Sequence, residues 1–491
     1  MLDVLLTLDV EDVYFDPSEG GDDHPIWLAG IMETCGLTGT FLFVGDKVRR
    51  LKKNGRQDVA QAMAPHSIGM HTNSNVHPTM PEYTAEVDWF EGLARVRDDE
   101  RTFASEFEEF FERPPDVTSM HNCLGSTQQY VVAAEMNIPS LYGVPASVST
   151  DTDISFCCGA LNTSICGPSG LSMLGTGFDR SYSDDQRTDA CITQIDDYVE
   201  KCLQAGRTYL NIFLGHPVMV RGVSPWFIYF LWPNGQNLSR SQADELGQAA
   251  IKPASVMPTV RRNFERVCRH IAEHPDLDVI HGGDLQRRYA WQKPSVTRDD
   301  LVSYIDRFVG TREDTPTAYV GGIPLDDWFT PAEIVAALTD GILAWSAEGK
   351  LPEQVERRNV LGPIEVPLVC PERARLSHKQ MIGAATAVQD ELVKTGYLPG
   401  NIPVDEKRIG LGSYLQGASE MYRQVTRSNE SDAVELPRVS LRCPAFAHEI
   451  DTLWRRMIIE DGTIDPQINL ESFCRHARLQ SWTIKPAHRR L

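Results

Sequence analysis

The stretch Val4-Leu5-Leu6-Thr7-Leu8 runs without a break into Asp9-Val10-Glu11-Asp12, and this junction constrains the fold more than any other feature of the chain. A nearly continuous apolar run with no turn residue inside it reads as a strand covered on both faces. Strands of that kind belong to parallel sheets with helices outside them. Three carboxylates at the carboxyl end of such a strand stand where α/β barrels place their chemistry. The plain alternative is a solvated acidic turn.

The order of elements agrees with a parallel sheet. Strand-like runs at 40–44, 138–144, 209–214 and 277–280 are separated by helical patterns at 87–111, 194–205 and 260–274. Repeated strand-then-helix order over residues 1–294 predicts a parallel sheet or barrel. From 295 onward strands largely vanish from the pattern. A helix expected over 331–347 ends at Gly349-Lys350-Leu351-Pro352, and a second over 379–395 ends at Gly396-Tyr397-Leu398-Pro399. Glycine just past a helix with proline shortly beyond is a stop signal. The two copies, with a boundary at 291–298 around Pro294, predict a smaller, mostly helical domain over 295–491 with a two-copy repeat. Its G-x-L-P motif is faintly similar to pseudomurein-binding repeats; a helical cap or an oligomerisation element is the plainer reading.

Residues 66–78, HSIGMHTNSNVHP, hold three of the 13 histidines. Neutral imidazole is a common ligand of Zn²⁺ and similar ions, so His66, His71 and His77 invite a metal reading beside the N-terminal acids. Asp9 and Glu11 share a face if the strand continues to Glu11, whereas a turn after Val10 aims Asp12 instead. His71, Asn75 and His77 share parity if their segment is extended. Further along, His216 lies at the end of the strand Tyr-Leu-Asn-Ile-Phe-Leu, before Pro217. The run 226–232 packs five aromatic rings into seven residues, making Trp226 a candidate for stacking on a sugar or for core packing.

Four of these segments, in order, resemble the polysaccharide deacetylase family (carbohydrate esterase family four). LTLDVED is similar to its first motif in a D-x-E-D variant, and GTFLFVGDKV to the T-F-F-x-x-G strand that follows. HSIGMHTNS resembles the histidine motif and FLGHP the late strand with the acid histidine. The resemblance covers about residues 1–290. It implies a distorted parallel (β/α) barrel and one divalent metal ion, zinc foremost. The implied activity is hydrolysis of an acyl group, above all N-acetyl, on a carbohydrate-like substrate. Residue by residue it implies Asp9 as general base, His216 as general acid and His71 as metal ligand, with Glu11 or Asp12 beside it; His77, by parity, is the candidate substitute for the family's second histidine. His66 is the structural histidine.

Two departures accompany the resemblance. Asn75 stands where the family places a second histidine. The third-motif stretch, Thr118-Ser119-Met120-His121-Asn122-Cys123, has no Arg, leaving His121 to orient the base or touch substrate. Hydrolysis of another amide on the same scaffold and a weakened, glycan-binding member therefore stay open as alternatives.

Charge narrows the partners. With 47 basic against 68 acidic residues the formal charge is −21, which disfavours nucleic acid and anionic membranes. A small-molecule or oligosaccharide substrate is expected, with homo-oligomerisation open. No apolar run approaches the roughly 20 residues of a membrane helix. The eleven cysteines form no C-x-x-C pair, and no basic segment precedes the first apolar run, so a reduced, cytoplasmic setting is expected.

Overall fold

The computed structural model describes residues 1–11, 13, 20–74, 78–120, 125–141, 154–163, 170–172, 182–221, 252–310, 326–368, 373–427, 431–436 and 468–490. The N-terminal run forms β1 (Leu2–Val10), nine residues buried along their whole length. It lies in a parallel sheet with β2 (Thr40–Phe43), β3 (Ser67–His71), β4 (Val117–Ser119), β7 (Gly170–Ser172), β8 (Tyr209–Gly215) and β9 (Leu277–Val279). Strand order is β4-β3-β2-β1-β8-β7, with β9 also on β1. β1 is long enough to serve two neighbours on one edge. The Leu2 amide donates to Asp276 and the Val4 carbonyl accepts from Ile280 beside β9, while the Val10 carbonyl accepts from Val44 just past β2.

Alternation along β1 sorts its side chains into two cores. Leu2, Val4, Leu6, Leu8 and Val10 join Phe41, Phe43, Ile68, Met70, Leu210, Ile212 and Leu214 in an outer core beneath the helices. Those helices include His24–Thr34, Trp89–Phe111, Asp185–Gln204 and Met257–Glu273. Leu5 points the other way and meets Leu42, Val117, Leu141, Ile154, Leu161 and Tyr209 in an inner core. Residues from so many strands converge on one interior because the sheet curves around it, in the barrel-type α/β arrangement the sequence predicts. Gly69 supports that packing: a Cβ there would stand 2.6 Å from a Val117 methyl and 2.7 Å from one of Leu42.

Past β4 the curvature continues through Ser140, bridged to Thr118 and to Asn162. Asn162 belongs to β6 (Ala160–Thr163), which pairs antiparallel with β5 (Ile154–Cys157). Of the strand expected over 138–144, Ser140 alone of the described residues makes bridges, two of them, and 142–144 lie outside the described residues.

Helices do dominate the later chain, but the expected loss of strands needs correction. Three short antiparallel pairs occur there: Ser295–Thr297 with Gln354–Glu356, Ala374–Ser377 with Ala433–Leu436, and Asn401–Val404 with Lys407–Gly410. Each strand has three or four residues, too few to print a period-two pattern. The helices Pro331–Glu348 and His378–Thr395 both begin with a capping box, and they end at Gly349 (φ 73°) and Gly396 (φ 77°). A separate core spans Val296 to Leu436 and takes in Trp482.

The last described residues return to the sheet. Lys485–Pro486 pairs with β5, Ala487 enters the inner core, and Arg489 reaches Asp3 at 2.7 Å. No described helix is long and apolar enough to cross a membrane.

Candidate metal centre

The odd-numbered, inward face of β1 carries Asp3, Leu5, Thr7 and Asp9, and Glu11 follows in the same direction just past the strand end. The polar members are almost fully buried, so each needs a partner inside the sheet. Asp3 has three: Arg288, Arg489 and the Tyr289 hydroxyl, the last at 2.9 Å. Thr7 donates to Asn211 at 2.9 Å. Asp9 and Glu11 meet histidines instead.

His71 ends β3, and its Nε2 stands 2.9 Å from Glu11 Oε1 and 3.4 Å from Asp9 Oδ2. Its Nδ1 lies 2.5 Å from Ser119 Oγ at the end of β4. His216 Nε2 lies 3.6 Å from both Asp9 Oδ2 and Glu11 Oε1. One ligand atom from each of Asp9, Glu11 and His71 fits within a 4.8 Å sphere of mutual distances, the spacing of groups that could share one ion. Glu11 and His71 are each 1% exposed, and His216, at 7%, is the most open of the four.

His216 reaches this place through an irregularity. Tyr209 points into the inner core while Leu210, Ile212 and Leu214 point outward, so strict alternation would also send His216 outward. The register of β8 against β1 shifts between Thr7 and Leu8, pairing Thr7 with Phe213 but Leu8 with Gly215. One extra residue inverts the alternation. Gly215 absorbs the bend at φ 106°, a conformation that favours glycine.

The electrostatics of the site favour a positive charge beside the carboxylates. Burial, and secondarily the neighbouring Glu11, pushes the Asp9 carboxyl from 3.8 to about 7, against a lowering influence of His71. Asp9 Oδ1 is buried and has no hydrogen-bond partner among the described residues. A divalent ion fits both observations. It would offset the desolvation of adjacent carboxylates and give the orphaned oxygen a partner.

Of the residues singled out in sequence, the structure brings together Asp9, Glu11, His71 and His216. Glu11 faces the cluster, whereas Asp12, Asn75, His77, His121 and Trp226 lie outside the described residues. Immediately after β3 the chain turns at Thr72, with φ 60°. Arg49 and Asp99 hold that turn: Arg49 donates to the Asn73 side chain at 2.7 Å and to its carbonyl at 2.9 Å, and Asn73 donates to Asp99 at 2.7 Å. His66 plays a packing part. Its Nδ1 accepts from the Gly39 amide at 3.1 Å, its ring sits edge-on to Phe41, and burial lowers it to about 4. Sequence reasoning missed Ser119, whose only signal is its place at the carboxyl end of the strand beside His71.

No protein-family model matches the chain, and no curated protein matches it. Among solved structures it is similar to one assigned as a polysaccharide deacetylase from Mycobacterium smegmatis, at 12% identity and TM-score 0.36, covering 58% of this chain and 89% of that one. A PuuE allantoinase gives 11% identity, TM-score 0.37, and coverage of 58% and 89%. A further structure assigned as a polysaccharide deacetylase, from Pseudomonas aeruginosa PAO1, gives 11%, TM-score 0.36, and coverage of 59% and 93%. Likeness at these scores carries nothing by itself. The resemblance to the polysaccharide deacetylases is carried by the four ordered motifs of this chain, three of which supply Asp9, Glu11, His71 and His216 to one buried cluster.

Proposed function

We propose that the chain is a metal-dependent hydrolase that removes an acyl group, foremost N-acetyl, from a carbohydrate-like substrate. The single observation behind this reading is the buried convergence of Asp9, Glu11 and His71, with His216 at its more open side. Glu11 and His71 would hold the ion, with Asp12 and His77 as further ligand candidates. Zinc suits an imidazole-and-carboxylate donor set. When bound, such an ion supplies Lewis acidity toward an acyl carbonyl and lowers the pKa of water.

The remaining work falls to the chain's own side chains. Asp9, ionised beside a cation, accepts the proton of the attacking water. His216 carries a proton on Nε2 and delivers it to the departing amine or alkoxide. Its greater exposure suits a group that meets substrate.

A different reading, a weakened glycan binder, is favoured by Asn75 and by the absence of Arg from residues 118–123. An acetate-release screen over N-acetylated sugars, run on purified, chelated and zinc-restored protein, separates the two. Release that is lost on chelation and restored by zinc is the expected result. Stoichiometric zinc with no release from any substrate would overturn the hydrolase and leave the binder.

A further inference from the structure

The barrel sheet is finished by the end of the chain. Beyond β4 it passes through Ser140 to β6 and β5, and its outermost member is the strand Lys485–Pro486, paired antiparallel with β5. The residues leading to that strand belong to the later part of the chain. Trp482 lies wholly buried in the core that spans Val296 to Leu436, and the Gly362 amide donates to the Gln480 side chain at 2.9 Å. Lys485 serves both parts. Its ammonium lies 2.8 and 3.0 Å from the oxygens of Glu333, in the first turn of the helix Pro331–Glu348, and 5.4 Å from the centre of the Phe156 ring on β5. The two side chains are 2% and 5% exposed, so each charge depends on protein partners. Past the strand, the Ala487 amide donates to the Ile154 carbonyl at 2.9 Å, and Arg489 ends on Asp3, on the face of β1 that carries Asp9.

We propose that residues 480–490 are a strap that closes the barrel and locks it to the helical part, so that the two unfold as one unit. This inference is independent of the metal reading. Chain connectivity alone, with one crossing near Pro294, would let the two parts come apart. The strap prevents this because successive residues enter different bodies: Trp482 the helical core, Lys485 the junction with Glu333, Ala487 the inner core of the barrel. Releasing it uncovers the edge of β5, removes a side chain from each core and takes Lys485 from Glu333. The cost falls on both parts at once, which is what makes a cooperative unit. A second contact, the Trp89 indole donating to the Tyr397 hydroxyl at 3.0 Å, joins the parts at another face. Loss of coupling on disturbing the strap alone is therefore the specific expectation.

Hydrogen exchange of the full chain, read by mass spectrometry with a chelator present, tests this, and the first measurement needs no variant. In native buffer the amides of Ala487 and Arg490, which donate to Ile154 and Arg288, should exchange as slowly as those of β1. Exchange at the rate of exposed chain overturns the proposal, since a strap that opens by itself couples nothing. Pulse labelling across a urea series then gives one midpoint for peptides of β1 and β8 and another for the helices Pro331–Glu348 and His378–Thr395. In the wild type the two should coincide. Lys485→Met keeps the apolar stem and leaves Glu333 paired with Arg357 at 2.7 Å; it should lower the midpoints and separate them. Arg489→Met, which leaves Asp3 its ion pair with Arg288, should do the same more weakly. Arg427→Met breaks an exposed ion pair with Asp306 inside the helical part and should leave the midpoints together. Separate midpoints in the wild type, coincident midpoints in both strap variants, or separation in Arg427→Met as well would each overturn the proposal.

Discussion

Replacing Asp9 by Asn should stabilise the protein once it has been stripped of metal. Asp9 is 4% exposed, and its carboxyl is displaced from 3.8 to about 7, first by burial and then by Glu11. At roughly 1.4 kcal/mol for each tenfold in proton affinity, holding the ionised form in the fold costs about 4 kcal/mol. The folded pKa is raised, so Asp9's favourable contribution is complete below 3.8 and is lost as pH rises through about 7. In urea denaturation with a chelator present, wild type and Asp9→Asn should therefore differ little near pH 4. Near pH 8 the variant should be more stable by about 2–4 kcal/mol. Added zinc should stabilise the wild type more than the variant, because it compensates a charge that the variant lacks. A chelated Asp9→Asn protein that is less stable than wild type near pH 8 by more than about 1 kcal/mol would refute this reasoning. Asp9 would then be an ordinary structural acceptor.

Other expectations follow from single contacts. Asp3→Ala leaves Arg288 and Arg489 without their shared buried carboxylate and should cost about 3–5 kcal/mol in chemical denaturation; a loss below about 1 kcal/mol would mean that the returning tail is not anchored there. Glu100, fully buried and raised from 4.5 to about 8 by burial and then Asp99, makes stability fall as pH rises through that window. Glu100→Gln should flatten this fall, and an unchanged pH profile would contradict it. His216→Ala should lower kcat about 10²- to 10⁴-fold on N-acetylated sugars, with a much smaller loss on an activated aryl ester, whose leaving group needs no proton. Equal losses on both substrates would remove His216 from the acid role.

Much of this arrangement is legible in the chain because period-two alternation is a local property. Once Val4 to Leu8 is a strand, Asp9 must share a face with Leu5 and Thr7, and Glu11 follows if the chain stays extended. What alternation cannot convey is its own interruption. From Tyr209 onward it sends His216 outward, and only the extra residue before Gly215 brings the ring back; Leu-Gly-His-Pro does not announce a bulge. Ser119 escaped notice because β4 has three residues and its importance lies in which strand stands beside it. The return of Lys485 to Arg490 to β5, the inner core and Asp3 is a contact across nearly the whole chain, without a local signature. The short antiparallel pairs after Ser295 are equally silent.

The central claim is that Glu11 and His71, gathered beside Asp9, hold one divalent ion. Its most direct test is elemental analysis of wild type, His71→Ala and His66→Ala after chelation, reconstitution with zinc and removal of the excess. Near-stoichiometric zinc in wild type and His66→Ala, with loss from a folded His71→Ala protein, is the predicted result. No zinc in the wild type, or equal zinc in all three proteins, would contradict the claim.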